Sequence, residues 1–342
     1  MAARMALMIV NRIAIVGAGM AGLSCATVLQ NAGLSVTVFD KSRGASGRVS
    51  TRLGTDQNDA WQCDHGAQYF TARDDIFHAE VKRWKIAGVA DIWEPRLKVT
   101  DGLSFWTKER SVERYVGVPR NNAPAQYLSK SLHLDTNSTV VEIMQKTHIE
   151  QPHWYLQTKE RGWLDAHFDV VIFAIPAPQA VPLLQGLSIK LSMLASSVKM
   201  RGCWALILRF DTPLNMKFDG LFVNKSPLSW VARDSSKPGR SGLETWVLHA
   251  DAMWSEQHID DSAELVAEHM IDAFLALGGR MPNAYTAHRW RYADCENFMA
   301  LVNAWDSQLK IGLCGDWLNG GKVQGAWLSG YQLAHKILST QD

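Results

Sequence analysis

Residues 12–41 read RIAIVGAGMAGLSCATVLQNAGLSVTVFDK, and this stretch decides the fold. An apolar run rich in β-branched residues leads into three glycines with the spacing G-x-G-x-x-G, namely Gly17, Gly19 and Gly22. A helical pattern over 21–32 and a second strand over 35–39 follow, and the strand ends in Asp40. Strand, glycine turn, helix, strand and acid in this order predict a dinucleotide-binding βαβ unit.

Each part of this unit has a physical task in binding a dinucleotide. The first glycine permits the tight turn, the second lets the backbone approach a pyrophosphate, and the third lets helix and strand pack closely. The helix N-terminus presents unpaired N–H groups and the positive end of its dipole to phosphates. The acid accepts hydrogen bonds from an unphosphorylated ribose, which favours FAD or NAD over NADP; a βαβ turn without a ligand is the alternative. The predicted cofactor contacts in this stretch are Gly17, Ala18, Gly19, Met20, Ala21, Gly22 and Asp40.

Length, charge and cysteine usage narrow the class of protein. The 342 residues are 47% hydrophobic and carry a formal net charge of +1, which allows two domains and gives no basic field for nucleic acid or an anionic membrane. The five cysteines have no metal-binding spacing, so we expect free thiols, a reducing compartment and no metal site. The sequence shows no clear signal peptide and no run suited to a membrane span, so we expect a cytoplasmic protein.

The loop after Asp40 is rich in small residues and contains two arginines. Arg43 and Arg48 are candidates for neutralising a pyrophosphate, and Lys41 and Gly47 are expected beside them at the cofactor. A solvated basic loop is the alternative interpretation of the same residues.

A second candidate region is the stretch 63–71, which reads CDHGAQYFT. A glycine within a strand pattern marks a close backbone approach, so we expect Gly66, Ala67 and Gln68 at the cofactor. Gln68 and Tyr69 also carry polar groups that suit a ligand, although periodicity alone makes them ordinary strand residues.

The end of the chain repeats glycines, an aspartate and a helix start. A short strand over 309–313 precedes Gly315 and Asp316, and two further glycines open a helix over 323–338. An NAD dehydrogenase does not need a second such element. A flavoprotein does need one, because the flavin ring lies far from the adenine of FAD. The N–H groups at this helix start can face the flavin edge on which negative charge gathers. The predicted contacts are Gly315, Asp316, Val323, Gln324, Gly325 and Ala326, together with Val140 on an earlier strand.

Two kinds of pattern divide the rest of the chain. The run 170–175 is apolar throughout, as in a strand buried on both faces of a parallel sheet. Residues 187–290 contain short strands separated by turns and one amphipathic helix over 262–277, which predicts an antiparallel sheet with helices. The sequence thus predicts an α/β protein with a Rossmann-type FAD-binding domain and a second, antiparallel-sheet-plus-helices substrate domain. The FAD-binding domain is expected to comprise 8–75, 136–186 and 288–342, and the substrate domain 76–135 and 187–287.

Taken together, the motifs resemble a known group of proteins. VGAGMAGLSCA, FDKSRGASGR and GDW..GGKVQGAWLSG are similar to motifs of the FAD-dependent amine oxidase superfamily. DHGAQYFTAR (64–73), LHADAMWS (248–255) and HRWRYA (288–293) resemble renalases more closely, especially bacterial ones. Two positions depart from the superfamily pattern. Asp40 stands where the superfamily more often has Glu, although renalases also have Asp there. Ser46 stands where the superfamily often has the first glycine of Gly-Gly-Arg.

The resemblance implies a p-hydroxybenzoate-hydroxylase-like fold and a renalase-like reaction. Renalases take hydride from dihydro isomers of NAD(P) that carry it at the 2- or 6-position of the nicotinamide, and O2 reoxidises the flavin with release of hydrogen peroxide. Covalent flavoproteins of the superfamily use a cysteine in the C-terminal region; Cys314 does not match that position, so non-covalent FAD is expected. The expected partners are the dinucleotide substrate and O2, without nucleic acid or membrane, and the protein is expected to be a monomer or weak dimer.

Hydride transfer from a dihydropyridine needs no base at the carbon, so we expect a site rich in aromatic groups and hydrogen-bond donors. The catalytic candidates are Gln68, Tyr69, His249, Trp290 and Tyr292. A satisfied core histidine and a core aromatic are the alternatives for His249 and Trp290. An amine oxidase or desaturase-type flavoenzyme acting on another small substrate is the second functional hypothesis, although Lys322 is not placed like the lysine that amine oxidases often have near flavin N5. A non-catalytic flavin-binding module is the third.

Overall fold

The computed structural model describes residues 12–56, 58–107, 112–148 and 151–340, without the side chains of His148 and Gln151. The predicted domain bounds at residues 8 and 342 therefore lie outside the described residues. Within the described residues, no helix is both long and apolar enough to cross a bilayer.

The strands include counterparts of those predicted over 35–39, 170–175 and 309–313. In chain order they are β1 (Arg12–Val16), β2 (Ser35–Phe39), β3 (Thr51–Asp56), β4 (Asp59–Asp64), β5 (Ala90–Ile92), β6 (Leu97–Thr100), β7 (Phe105–Thr107), β8 (Tyr115–Gly117), β9 (His133–Asp135), β10 (Val140–His148), β11 (Gln151–Thr158), β12 (Gly162–Phe168), β13 (Val170–Phe173), β14 (Met200–Phe210), β15 (Gly220–Val223), β16 (Leu228–Arg233), β17 (Glu244–Ala250), β18 (Ala284–Cys295), β19 (Asn303–Asp306) and β20 (Ile311–Cys314).

The structure describes eight α-helices, six of which begin at a side-chain cap or a glycine. In chain order they are α1 (Met20–Asn31), α2 (Asp75–Ile86), α3 (Ala123–Ser129), α4 (Ala177–Leu184), α5 (Ile189–Ser196), α6 (Ala252–Gln257), α7 (Ala263–Ala276) and α8 (Lys322–Ser339). Asp74 caps α2 and Ser262 caps α7 through side-chain oxygens that accept first-turn N–H groups, whereas α1 and α8 begin at glycines.

The chain folds into two compact units. The first unit comprises residues up to 47, 125–199 and those from 297 onward, and the second comprises 48–124 and 200–296.

The first unit is built on a six-stranded sheet with the order β19-β20-β13-β1-β2-β9. All neighbouring pairs are parallel except β19 with β20. All four residues of β13 are buried, which confirms the strand predicted over 170–175 as a central parallel strand. A separate antiparallel sheet in the same unit consists of β10, β11 and β12. This architecture confirms the predicted α/β, Rossmann-type fold class.

In the first unit, α8 packs directly on α1 through a glycine. A Cβ atom at Gly330 would lie 1.9 Å from the carbonyl oxygen of Ala21, so only glycine permits this crossing. The contact connects the N-terminal βαβ unit to the C-terminal helix, and it brings both glycine-rich segments of the sequence into one unit.

The second unit is built on a seven-stranded sheet with the order β18-β14-β17-β16-β15-β6-β7. Its pairs are antiparallel except β15 with β6. Helix α7 covers part of the sheet, where Phe274 packs against Trp246 with ring centroids 6.0 Å apart. An antiparallel sheet with helices was predicted for the greater part of this unit.

The boundaries of the units differ from the predicted domain boundaries. Residues 48–75 and 288–296 belong to the second unit, and 125–135 and 187–199 to the first. The reason is hydrogen bonding over long sequence separations. Strand β18 continues unbroken through 288–293 and pairs with β14, whereas β9 pairs with β2 of the parallel sheet. The assignment of FAD and substrate binding to these units stays a prediction.

Candidate functional site

The glycine turn of the first unit uses its three glycines for different purposes. Gly17 has φ +111°, and a Cβ atom there would lie 2.5 Å from the carbonyl oxygen of Ala174. A Cβ atom at Gly22 would lie 2.0 Å from the carbonyl oxygen of Gly17, whereas one at Gly19 would meet no atom within 4 Å. Folding therefore requires two of the glycines, and the third leaves open space beside the backbone, where a ligand can approach closely.

The N-terminus of α1 and the acid of β2 adjoin this turn. Gly19 is the N-cap residue and supplies no side-chain acceptor for the first-turn N–H groups. The carboxylate of Asp40 accepts hydrogen bonds from the N–H groups of Ala18 (2.7 Å) and Ser42 (2.8 Å). Asp40 is thus held against the turn, as the predicted ribose contact requires, and each carboxylate oxygen has a further lone pair for a hydroxyl donor.

The second predicted cofactor-binding segment, which begins at Gly315, also leads into a helix whose N-cap is a glycine. The N–H of Gly315 donates to Oγ of Ser329 on α8 (2.9 Å), and Asp316 is buried in the turn that follows β20. Helix α8 begins after Gly321, which has φ +72° and supplies no side-chain cap. The structure therefore places a second uncapped helix N-terminus in the same unit as the first. Val323, Gln324, Gly325 and Ala326 occupy its first turns.

The remaining predicted cofactor residues lie at different places in the chain. Lys41 and Arg43 are exposed in the loop after β2, and a Cβ atom at Gly47 would lie 3.1 Å from Cα of Gly19. Val140 is the buried first residue of β10. Arg48 belongs to the second unit, where its guanidinium donates to the carbonyl oxygen of Ala293 (3.2 Å).

In the second unit, the turn after β4 is held by side chains. We call residues 64–67 the β4 turn. Nε2 of Gln68 donates to the carbonyl oxygens of Asp64 (2.6 Å) and Gly66 (3.1 Å), and Nδ2 of Asn121 donates to that of Ala67 (2.6 Å). A Cβ atom at Gly66 would lie only 2.0 Å from the carbonyl oxygen of Arg48, which agrees with the close backbone approach expected there.

The β4 turn also collects two of the predicted catalytic residues. The carbonyl oxygen of His65 accepts from Nε1 of Trp290 (2.9 Å) and from Nε2 of His249 (3.2 Å). Since a carbonyl only accepts, Nε2 of His249 carries the ring proton. Trp290 also stacks on His65 with ring centroids 5.2 Å apart. Residues from β17 and β18 thus meet the turn after β4 at one peptide group.

Gln68 and Tyr69 have more internal contacts than the sequence predicted. The Gln68 amide donates to the β4 turn, and its Oε1 accepts from Nζ of Lys237 (3.2 Å), so both ends of the amide are used within the protein. The turn thus uses the donors of this side chain, and the expectation that Gln68 faces a ligand stays a prediction. Tyr69 packs beside Trp93 and Trp230.

Tyr292 lies on β18, two residues after Trp290, and is half-buried. Like Tyr69, it takes no part in the contacts just described for the β4 turn. Its assignment stays a prediction.

Three histidines form a neutral cluster beside the β4 turn. Burial lowers the pKa of His65 to about 3, with further lowering by His288 and Arg52. Burial likewise lowers the pKa values of His249 and His288 to about 4. At neutral pH these rings are uncharged, so they supply hydrogen bonds and ring surface rather than positive charge. Sequence reasoning missed His65 and His288; both stand inside motifs that were noted for other reasons.

Sequence reasoning also missed a buried group of four charges. Lys237 Nζ lies 3.0 Å from Oδ2 of Asp64 and 2.6 Å from Oδ1 of Asp234, and Arg240 lies 2.5 Å from Oδ2 of Asp64. All four side chains are almost fully buried. Burial alone would raise the pKa of Asp64, but Lys237 and Arg240 hold it well below its usual range. Burial and the charge of Asp64 raise the pKa of Asp234 to about 6.

The residues of the first unit fit a dinucleotide cofactor. Open space at Gly19, two uncapped helix N-termini and the fixed carboxylate of Asp40 match the needs of a pyrophosphate and a ribose. The described residues contain no cluster of histidine, cysteine or acidic side chains suited to a metal ion. The site geometry thus defines a dinucleotide-binding protein of Rossmann type.

Comparison with known families defines the class further. Residues 98–338 match the sequence model of the flavin containing amine oxidoreductases, and residues 15–81 match an NAD(P)-binding Rossmann-like domain. The first match spans well over half of the chain, so the chain belongs to the flavin containing amine oxidoreductase family. The predicted enzyme class, an FAD-dependent oxidoreductase, and the predicted FAD cofactor are thereby confirmed. The narrower resemblance to renalases stays a prediction.

Individual relatives match over a short region. L-amino acid oxidase of Bothrops pictus is 39% identical over 76 residues, which are 22% of this chain and 15% of that protein. L-amino-acid oxidase BmooLAAO-I of Bothrops moojeni is 37% identical over the same length. The matched region is thus a small part of these longer relatives.

Solved structures match the fold over nearly the whole chain. A crystal structure from Exiguobacterium sp. 255-15, of a protein provisionally assigned as a protoporphyrinogen oxidase, has a TM-score of 0.75 at 12% identity and covers 96% of this chain and 99% of that one. Wild-type putrescine oxidase bound to putrescine has a TM-score of 0.72 at 13% identity with the same coverage. At these identities the likeness establishes the fold alone.

Proposed function

We propose that this chain is a renalase-like oxidase, which converts 2- or 6-dihydro isomers of NAD(P) to NAD(P)⁺. Substrate, O2 and one proton give NAD(P)⁺ and hydrogen peroxide, which balances atoms and electrons. One observation supports this most: the three renalase-like motifs are far apart in sequence, yet His65, His249 and Trp290, one from each, meet at a single carbonyl group. Such convergence is expected when separate segments build one site.

The chemistry of this cluster suits hydride transfer. FAD, when bound, supplies the hydride acceptor and returns the electrons to O2. A dihydropyridine loses hydride without a base, so the protein's task is to orient the ring and exclude other poses. The indole of Trp290 and the neutral ring of His249 provide apolar surface and hydrogen bonds for a nicotinamide. Tyr69 and Tyr292 are proposed as further substrate contacts, and Gln68 as a residue that shapes the β4 turn.

Lysine placement also favours hydride transfer over lysine-assisted amine chemistry. Lys237 lies near the predicted substrate contacts, but its ammonium is held by Asp64, Asp234 and Gln68. Lys322 is exposed at the start of α8. Lys237 is thus committed to partners within the protein, and Lys322 faces solvent, so neither is placed to assist an amine substrate.

We propose that the first unit binds the FAD without a covalent bond. The N-terminus of α1 and Asp40 would hold the pyrophosphate and the ribose, and the N-terminus of α8 would face the flavin. Cys314 is fully buried as the last residue of β20 and its thiol is free, so it is unsuited to covalent attachment.

Amine oxidation is the second candidate function. The family includes proteins named for amine and amino-acid substrates, and the local match to L-amino acid oxidases covers part of the chain. An amine or desaturase-type substrate would use the same hydride acceptor but different contacts in the second unit.

Anaerobic stopped-flow mixing separates these functions. The FAD-loaded enzyme is mixed with borohydride-generated NADH isomers, with authentic 4-dihydro NADH, and with a panel of amines and amino acids. We expect rapid loss of the flavin absorbance with 2- or 6-dihydro isomers only, and stoichiometric hydrogen peroxide once O2 is admitted. Absorbance loss with an amine but with no isomer would replace the first proposal by the second.

A further inference from the structure

The β4 turn has an unusual hydrogen-bonding pattern. Four consecutive carbonyl groups, those of residues 64–67, all accept hydrogen bonds from side chains. Buried carbonyl groups need partners, so the geometry of this turn depends on the side chains around it. Of these, Gln68 is the donor for two of the four groups.

Lys237 is connected to this turn at two points. Its ammonium donates to Oδ2 of Asp64 (3.0 Å) and to Oε1 of Gln68 (3.2 Å). The third donor goes to Oδ1 of Asp234 (2.6 Å), the residue directly after β16. An ammonium has three N–H groups, so all of them are used within the protein. Lys237 therefore has no donor left for a cofactor or substrate.

The charges around Lys237 balance. Lys237 and Arg240 are positive, and Asp64 and Asp234 are negative, so the buried group is neutral when all four are ionised. Buried ion pairs add little stability compared with well-packed apolar side chains, because their desolvation offsets their attraction. Stability alone is thus a weak explanation for a buried lysine here, and a role in fixing geometry explains it better.

We propose that Lys237 is a positioning residue: by holding Asp64 and Gln68 it fixes the β4 turn, whose His65 carbonyl aligns Trp290 and His249 for the substrate. This inference rests on the proposed function for its substrate, while its structural part can be tested without any substrate. Lys237 acts through other residues and touches no reacting group.

The test compares three variants. Lys237→Met removes the charge and keeps the length of the side chain. Lys237→Met combined with Asp234→Asn restores neutrality, because one base and one acid are removed together. Lys217→Met, at an exposed position of the same unit, is the matched control. The double variant separates charge balance from positioning, and it keeps the test decisive if the single variant fails to fold.

Two measurements report on positioning. The first is the indole N–H resonance of Trp290 in FAD-loaded protein labelled with ¹⁵N-tryptophan, assigned by its absence in Trp290→Phe. The second is the KM and kcat for the 6-dihydro isomer of NAD. In the double variant we expect wild-type thermal stability, a displaced Trp290 resonance and a KM raised about tenfold, with a smaller change in kcat. The control should match wild type in all of them.

Two outcomes would overturn the inference. A double variant with both the Trp290 resonance and the KM of wild type would show that Lys237 only balances charge. If the wild-type protein oxidises none of the isomers and the double variant keeps the wild-type Trp290 resonance, both the inference and the proposed function are rejected. If the wild-type protein oxidises none of the isomers but the Trp290 resonance is displaced in the double variant, the positioning role stands and only the proposed function is rejected.

Discussion

Asp40 shows how one side chain serves both folding and binding. Its carboxylate holds the backbone of Ala18 in the glycine turn and that of Ser42 in the following loop. A hydrogen bond to a charged group contributes about 1.5–3 kcal/mol, so the carboxylate stabilises the turn even before a ribose binds.

We predict that Asp40→Ala weakens FAD binding by about tenfold or more, because both the turn and the ribose lose an acceptor. Asp40→Asn keeps one acceptor oxygen and should lose less. Titration of the apoproteins with FAD, followed by quenching of flavin fluorescence, measures both affinities. Equal affinities for wild type and Asp40→Ala would contradict the predicted role.

The three histidines of the second unit make its stability dependent on pH. Their folded pKa values of about 3 to 4 lie below the ordinary value of 6.5, so the unfolded chain binds more protons between these limits. The contribution of the histidines to the free energy of unfolding is complete above about pH 6.5 and is lost as the pH falls toward 4. Asp234 changes the free energy of unfolding in the opposite direction, because its raised pKa favours the folded state at low pH. It is a single group, whereas three histidines act in the other direction.

We predict that His288→Gln reduces the loss of stability between pH 7 and pH 5 by an amount on the order of 1 kcal/mol. Urea unfolding at pH 7, 6 and 5 measures the free energy of unfolding of each protein. His78→Gln, on α2 and outside the cluster, is the control and should follow the wild-type pH dependence. Parallel curves for wild type and His288→Gln would refute the assignment of His288 as a neutral buried ring.

At the scale of elements, the turn between β1 and α1 combines two requirements. Gly17 and Gly22 allow the turn to contact Ala174 and itself, whereas a Cβ atom at Gly19 would meet no atom within 4 Å. The same sequence motif therefore contains residues for folding and a residue for binding, and only the geometry separates them.

We predict opposite outcomes for two alanine variants of this turn. Gly22→Ala forces a Cβ atom against the Gly17 carbonyl and should lower the free energy of unfolding by about 2 kcal/mol or more. Gly19→Ala should change it by no more than about 1 kcal/mol, since alanine is only a poorer N-cap, yet should weaken FAD binding about tenfold or more. Thermal unfolding of the apoproteins and FAD titration give the two quantities. A stable Gly19→Ala variant with wild-type FAD affinity would place the pyrophosphate elsewhere.

At the scale of the whole molecule, we predict that the flavin is released intact on denaturation. The described cysteines are free thiols and Cys314 is fully buried, so a covalent bond to it is not expected. Acid precipitation of the purified protein should leave FAD in the supernatant, identified by its chromatographic retention and absorbance. Flavin that stays with the precipitate would show covalent attachment.

The sequence could predict the elements whose signals are local. The glycine spacing, the apolar run of β13 and the helix starts at Ser262 and after Gly321 each depend on a few neighbouring residues, and the structure has the expected elements there. The domain boundaries were less accurate, because β9 and β18 join their sheets through pairing with distant strands.

The sequence by itself therefore determined the Rossmann-type unit, the second glycine-led helix and the family to which they point. Only the tertiary structure decided that Gln68 turns inward, that three neutral histidines cluster, and that Lys237 and Asp64 form a buried ion pair. Those two residues are 173 positions apart. Periodicity and turn chemistry act between near neighbours, whereas the burial that pairs a lysine with an aspartate exists only after distant segments have packed together.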